Sequence, residues 1–250
     1  MKNCLIFLLC ALCVSFRLHA QTPFHLAKPA ISTQGETIIY SGFINREGVA
    51  EAISIIKAGN FKALQINSKG GEILSGMDFG EVIFDHKLDV IVSELCNSSC
   101  ANYIFPSGRR KTIKEGAFVI WHGDARQRNF LEQKARLELK AANSPQEMLV
   151  DDWKRLNFER ESISRQDIFY KKIGIDGRIA RLGHELSKPY NVFTLNATIM
   201  AMFDITQVDA PPDYGKPAYC QKWLRKYYER PAAVCLEPFM LEIEQIRSAP

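Results

Sequence analysis

The chain has 250 residues, 46% of them hydrophobic and 24% charged, with a net charge of +4. That is enough length and apolar content for one sizeable core, which excludes extensive disorder. A charge so small and so scattered excludes the concentrated basic footprint of a nucleic-acid binder and leaves the substrate class open. Residues 1–20 read as a signal peptide. Lys2 is followed by an apolar run from Cys4 to Phe16, of signal-core length and too short to span a bilayer. Leu18-His19-Ala20 offers a cleavage site that leaves Gln21 as the new N-terminus. An uncleaved anchor is the alternative. Cleavage implies a periplasmic or secreted protein with no stable membrane span.

Cleavage also removes Cys4, Cys10 and Cys13, leaving Cys96, Cys100, Cys220 and Cys235. An even set in an exported chain reads as a disulfide framework, for which four cysteines allow three pairings. Cys220 with Cys235 is the simplest pair, closing a C-terminal loop. Cys96 with Cys100 then brackets Ser98, with two buried thiols as the alternative.

Residues 21–35 read as a loosely ordered lead-in. Thr37 to Phe43 is β-branched and aromatic and predicts a strand. Val49, Ile53 and Ile56 recur at helical spacing between Arg46 and Ala58. Phe61 to Ile66 predicts a short strand that runs into the turn chemistry of Asn67-Ser68-Lys69-Gly70-Gly71. A helix over Glu72 to His86 and a buried strand at Val90 to Val92 follow. Cys96 to Cys100 is the next turn, Ala101 to Phe105 a helix, and Ala117 to Trp121 a further strand ending at His122. Strand and helix alternate, which predicts parallel βαβ units with active residues where strands end and helices begin. Gly70-Gly71, Ser98 and His122 all fall at such ends.

Residues 127–172 change character, being rich in Glu, Lys, Arg, Gln and Leu, and read as two helices. Ser144-Pro145-Gln146-Glu147 has the signature of a helix start. The charged faces are solvated surface or, in a second reading, a contact with a partner or within a homo-oligomer. Asn191 to Asp209 returns to the core with a short helix and strand. The expected organisation is a signal peptide over 1–20, one domain over 21–210 with a helical excursion over about 127–185, and a C-terminal appendage over 211–250. The appendage carries the last two cysteines and a basic aromatic stretch, Trp223 to Arg230.

Three pieces in this order resemble the proteolytic subunit of the Clp protease, within the Clp/crotonase superfamily. Ile66-Asn67-Ser68-Lys69-Gly70-Gly71 followed by Gly76-Met77 resembles its oxyanion segment, with Lys69 where that family has proline. Ser98-Ser99-Cys100-Ala101 resembles its nucleophile turn, and Val119-Ile120-Trp121-His122 the strand ending in its histidine. Cysteines flanking the serine resemble uncharacterised periplasmic relatives of the superfamily. The resemblance covers roughly residues 39–122, with a weaker echo at 193–209.

The resemblance implies an α/β fold of Clp/crotonase type and an exported serine hydrolase, a peptidase acting on a peptide or other acyl substrate. Ser98 is the implied nucleophile, His122 its base, and Gly71 and Ser99 the backbone oxyanion donors. A serine hydroxyl needs such a base, and the tetrahedral intermediate needs such donors. The third triad position is the departure. Alignment of the later segment puts Val192 near it, with Asn191 adjacent; Asn can orient a histidine. Asp167 and Asp176 are acidic alternatives, and a Ser-His dyad is another.

A non-catalytic Clp-like fold acting as a binding or assembly module is the second reading, favoured by the missing aspartate. A crotonase-like enzyme acting on an acyl thioester is the third. No metal site or cofactor is implied: His25, His86 and His184 are dispersed, Cys96 and Cys100 lack thioredoxin-like spacing, and no phosphate-binding glycine loop occurs.

Overall fold

The computed structural model describes residues 28–227 and 233–248, so the expected signal peptide and the end of the basic aromatic stretch lie outside the described residues. Ala30–Gln34 (β1) and Thr37–Ser41 (β2) form an antiparallel hairpin in register Ala30↔Ser41. This corrects the reading of residues 21–35 as lead-in throughout. β1 has four exposed positions of five and carries no apolar alternation. Its pairing is set by the edge of β2 and by a turn in which Gly35 takes φ 57°.

Arg46–Ala58 (α1) follows. Asn45 Oδ1 accepts the Gly48 N–H at 2.8 Å, and Glu47 and Lys57 complement the helix dipole at its two ends. Then come Ala63–Ser68 (β3), Ile73–Asp85 (α2) and Asp89–Asn97 (β4). A π-helical turn over Cys100–Ile104 runs into a short helix, Phe105–Ser107 (α3). Lys111–Ile113 (β5) and Phe118–Ile120 (β6) complete the first half.

The second half holds Arg128–Asn143 (α4), Val150–Ile173 (α5), a 3-10 segment Gly177–His184, Phe193–Thr194 (β7), Ala197–Met202 (α6), Val208–Asp209 (β8), Pro217–Trp223 (α7), Val234–Cys235 (β9) and Met240–Ser248 (α8). Ser144-Pro145 does not start α5. Ser144 closes α4, and Pro145–Glu147 forms a separate 3-10 turn. The start of α5 falls later because the Asp152 carboxylate accepts the Leu149 N–H at 3.2 Å and the Lys140 ammonium at 2.7 Å.

The fold is mixed α/β with a mostly parallel sheet and layered helices. The main sheet runs β1-β2-β3-β4-β5-β8, with β6 also on β4, and every pairing after the first hairpin is parallel. β4 is the pivot. Val90 to Val92 pair β5, while Leu95 to Asn97 pair β6. Ile38, Tyr40, Leu64, Ile66, Val90 and Val92 are wholly buried along the central strands. Residues after 211 join the same core through Tyr214, Tyr219 and Leu236. Tyrosine hydroxyls stand in for a strand beside β6: the Val119 N–H donates to Tyr214 Oη and the Gly116 N–H to Tyr219 Oη, each at 2.9 Å. An edge otherwise left open is thereby satisfied. No helix among the described residues is long and apolar enough to cross a membrane.

Two disulfides are present among the described residues, Cys96–Cys100 and Cys220–Cys235. The second ties α7 to β9, which pairs β7. Closing a loop of 15 residues restricts the unfolded chain by roughly 3 kcal/mol. Replacing Cys220 and Cys235 together by Ala is expected to lower stability by about that amount in calorimetry or urea denaturation.

Lys111 at the start of β5 is 6% exposed, and its Nζ donates to Thr206 O at 2.9 Å. Burial pulls its pKa down from 10.5 to about 8. Between those values the unfolded chain holds a proton that the folded chain lacks, so this contribution to stability rises with pH across the window. Urea denaturation is expected to show wild type gaining on Lys111→Met from about pH 8 to about pH 10.

Candidate active site

β3 and β4 run parallel, and the turns that follow them meet. Asn67 to Gly71 leaves β3, and Ser98 leaves β4 for the π-helical turn. A Cβ on Gly70 would lie 2.5 Å from Asn97 O and 2.6 Å from Ser98 Cβ. Only glycine allows this approach, and Gly70 also takes φ 92°. At Gly71, φ is 157° and a Cβ would lie 2.0 Å from Ile44 O. Gly71 bridges Ile44, with Ile44 N–H donating to Gly70 O and Glu72 N–H to Ile44 O. Gly76 of α2 faces Ser99 Cβ and Tyr103, which lets the helix close on the same turn.

Ser98 has φ 57°, a left-handed conformation that costs a non-glycine residue on the order of 1–2 kcal/mol. Its backbone is held on both sides, the N–H donating to Ile120 O at 3.0 Å and the carbonyl accepting the Asn102 N–H at 2.9 Å. Cys96–Cys100 spans the turn. Ser99 is buried, and its Oγ donates to Gly71 O at 2.7 Å. Ser98 is only part-buried, and its Oγ makes no hydrogen bond among the described residues. The N–H groups of Gly71 and Ser99 likewise have no acceptor among the described residues.

His122 follows β6, two residues past the Ile120 that holds Ser98. Trp121 and Phe193 exchange backbone hydrogen bonds at 2.9 Å, which carries Asn191 and Val192 alongside His122. The Gly123 N–H donates to Ala180 O at 2.9 Å and ties in the 3-10 segment that ends at His184. His122, His184, Asn191 and Val192 line one cavity of about 550 Å³, roofed by the start of α4 with Gln127, Arg128, Asn129 and Glu132. Burial holds the His122 pKa below its ordinary value of 6.5; a bond to its own backbone opposes this, and the nearby His184 adds to it. No hydrogen bond joins Ser98 Oγ to the His122 ring.

Of the residues considered for the third position, Asn191 is exposed in the His122 cavity. Asp167 is paired with Arg126. Asp176 is paired with Arg178 at 2.8 Å and Arg247 at 3.4 Å. Two further residues emerge only here. His184 carried no spacing signal in the sequence, because 62 positions separate it from His122. Asp124, two residues past His122, is 3% exposed and accepts from Gln166 Nε2 at 3.0 Å and from the Arg126 N–H at 2.9 Å. Tyr103 Oη and the Ala125 N–H both donate to Gln166 Oε1. This buried network locks the loop after His122 to the π-helical turn and to α5.

No family profile and no curated protein matches the chain. Solved structures similar to part of it include an assigned enoyl-CoA hydratase from Rhodopseudomonas palustris, 10% identical with a TM-score of 0.30, covering 36% of this chain and 47% of that one. An enoyl-CoA hydratase from Thermoplasma volcanium is 11% identical with a TM-score of 0.29, covering 35% and 48%. The matched part spans about half the length of those enzymes. Among the described residues no cluster of His, Cys, Asp or Glu is arranged to hold a metal ion.

The glycine turn is testable by packing. Gly71→Ala is expected to cost on the order of 1–3 kcal/mol in urea denaturation, because the new methyl meets backbone that cannot swing away. Gly35→Ala has open space around it and is expected to cost less, only the strain of its positive φ.

Proposed function

We propose that the protein is an exported serine hydrolase acting on a peptide or related acyl bond. Ser98 attacks the acyl carbon while His122 takes its proton. The Gly71 and Ser99 N–H groups hold the resulting oxyanion. Collapse of the intermediate expels the leaving group, which receives the proton from His122. Water then repeats the sequence in reverse on the acyl-serine and frees Ser98. One oxyanion donor typically contributes roughly 3 kcal/mol to such a step.

The observation that carries this reading is the nucleophile turn. A strained serine leaves a strand with its hydroxyl uncommitted, and two N–H groups without acceptors flank it. The neighbouring serine, by contrast, is buried and hydrogen-bonded. A lowered His122 pKa supports the role of base, since the ring is then neutral at neutral pH. Two disulfides among the described residues fit an oxidising compartment, which supports export.

A second reading has its own observation. No hydrogen bond joins Ser98 to His122, and both candidate aspartates are spent on arginines. A non-catalytic binding module of the same fold accounts for that.

Labelling of the chain beginning at Gln21 with a fluorophosphonate separates the two. Ser98→Ala is expected to abolish labelling, His122→Ala to slow it by about 100-fold, and Ser99→Ala to leave Ser98 reactive. A well-folded wild-type protein that resists the probe sinks the hydrolase reading in favour of the binding module.

A further inference from the structure

His184 is the group that the cavity adds to the site. Its backbone is fixed immediately before the side chain. A Cβ on Gly183 would lie 2.4 Å from the Phe193 ring and 2.6 Å from Tyr190 O, and the Tyr190 N–H donates to Gly183 O at 2.8 Å. Together with the Gly123–Ala180 hydrogen bond, this holds His184 against the segment that carries His122. His184 Nε2 is buried and has no hydrogen-bond partner among the described residues. A buried ring nitrogen without a partner is costly, by about 1–3 kcal/mol, unless another state of the site satisfies it.

The other groups around His122 are less suited to hold it. Asn191 is exposed, so water competes for its amide. Asp124 is satisfied by Gln166, the Arg126 N–H and Arg181. Among charged groups facing the cavity, Arg128 and Glu132 of α4 pair with each other at 2.8 Å and are both solvated. On the 3-10 segment itself, Arg181 pairs with Glu185 at 3.0 Å. Lys188 lies over the Tyr190 ring. None of these contributes an unspent charge beside the two rings.

We propose that His184 is the positioning partner of His122, the two imidazoles sharing one proton so that His184 takes the place an acid holds in other triads. The inference rests on the hydrolase reading for its catalytic consequence, but not for the pairing itself. A neutral imidazole offers one donor and one acceptor. It can accept the His122 N–H, fix that ring's tautomer and leave the other nitrogen toward Ser98. Unlike a carboxylate, it adds no negative charge, so a second positive ring is disfavoured by the first. The pair therefore takes up one proton readily and a second only at lower pH, and the imidazolium formed during attack is stabilised less than by an aspartate.

The test is a histidine NMR titration of the wild-type chain beginning at Gln21 and of its His184→Gln and His184→Asp variants, together with fluorophosphonate labelling rates. The titration needs no activity, so it judges the pairing even if the hydrolase reading fails. The pairing predicts that His122 titrates in two coupled steps in wild type, in a single step in His184→Gln, and at higher pH in His184→Asp. An unmoved His122 titration overturns the proposal whatever the labelling shows. Where wild type labels, the positioning role predicts slowing by about 10-fold in His184→Gln, part of the roughly 100-fold contribution of the base it orients, and recovery in His184→Asp. A shifted titration with unchanged labelling in both variants overturns the positioning role. A shifted titration with no labelling of wild type upholds the pairing and removes the hydrolase reading instead.

Discussion

The constraint on which the site depends is the parallel pairing between the end of β4 and β6. Leu95, Cys96 and Asn97 lie opposite Phe118, Val119 and Ile120, and the ladder continues one step further through the Ser98 N–H to Ile120 O. One short ladder therefore sets the positions of both Ser98 and the residue two past Ile120. Five wholly or almost wholly buried side chains weld it into the core, and Asn97 at the end of β4 is part-buried. A slip of one residue would turn Ser98 to the other face of the sheet and exchange the buried and exposed sets.

Several unlike devices hold the left-handed conformation at Ser98. Gly70 and Gly76 remove the side chains that would push the β3 turn and α2 away. The Ser99 hydroxyl bonds to the carbonyl of Gly71, so the two turns are stitched together by the serine that does not face solvent. Asn102 reaches from the π-helical turn to Gly123 O at 2.8 Å, and Gln166 joins Tyr103 to Asp124. The disulfide between Cys96 and Cys100 closes the turn covalently. Strain of a kilocalorie or two at one residue persists because each neighbour independently prevents relaxation.

The second half of the chain acts on the site from a distance. β7 brings residues 191 and 192 beside His122 through its backbone exchange with Trp121, and the tail tyrosines close the side of β6 that has no further strand. α4 and α5 are rich in charged residues, unlike the apolar strands that precede them. The N-terminal turn of α4 nevertheless roofs the cavity over His122, so a segment that reads as solvated surface also shapes the entrance. Burial in this cavity holds the His122 pKa below its ordinary value, which favours the neutral ring, the form in which an imidazole can accept a proton.

The sequence by itself determined the alternation of strand and helix through residues 37–122, because β-branched runs, helical spacing and glycine turns are local signals there. α1 matched its predicted span, and β2, β3, α2 and β6 lie within a few residues of theirs, but β4 runs on to Asn97 through Cys96, which reads as turn in the sequence, and β5 was not expected. The placement of Ser98, His122 and the Gly70-Gly71 turn just past strand ends was legible for the same reason: each sits where a local pattern changes. β1 was not legible, since a polar, exposed strand exists only by virtue of its neighbour. The start of α5 was misread because a capping pattern at Ser144 competes with Asp152, whose partner Lys140 lies on another helix. Only the tertiary structure decided what surrounds His122. It spent Asp167 and Asp176 on arginines, left Asn191 in solvent, and brought His184 across 62 residues into the same cavity, a proximity that follows from strand exchange between Trp121 and Phe193 and has no trace in residue spacing.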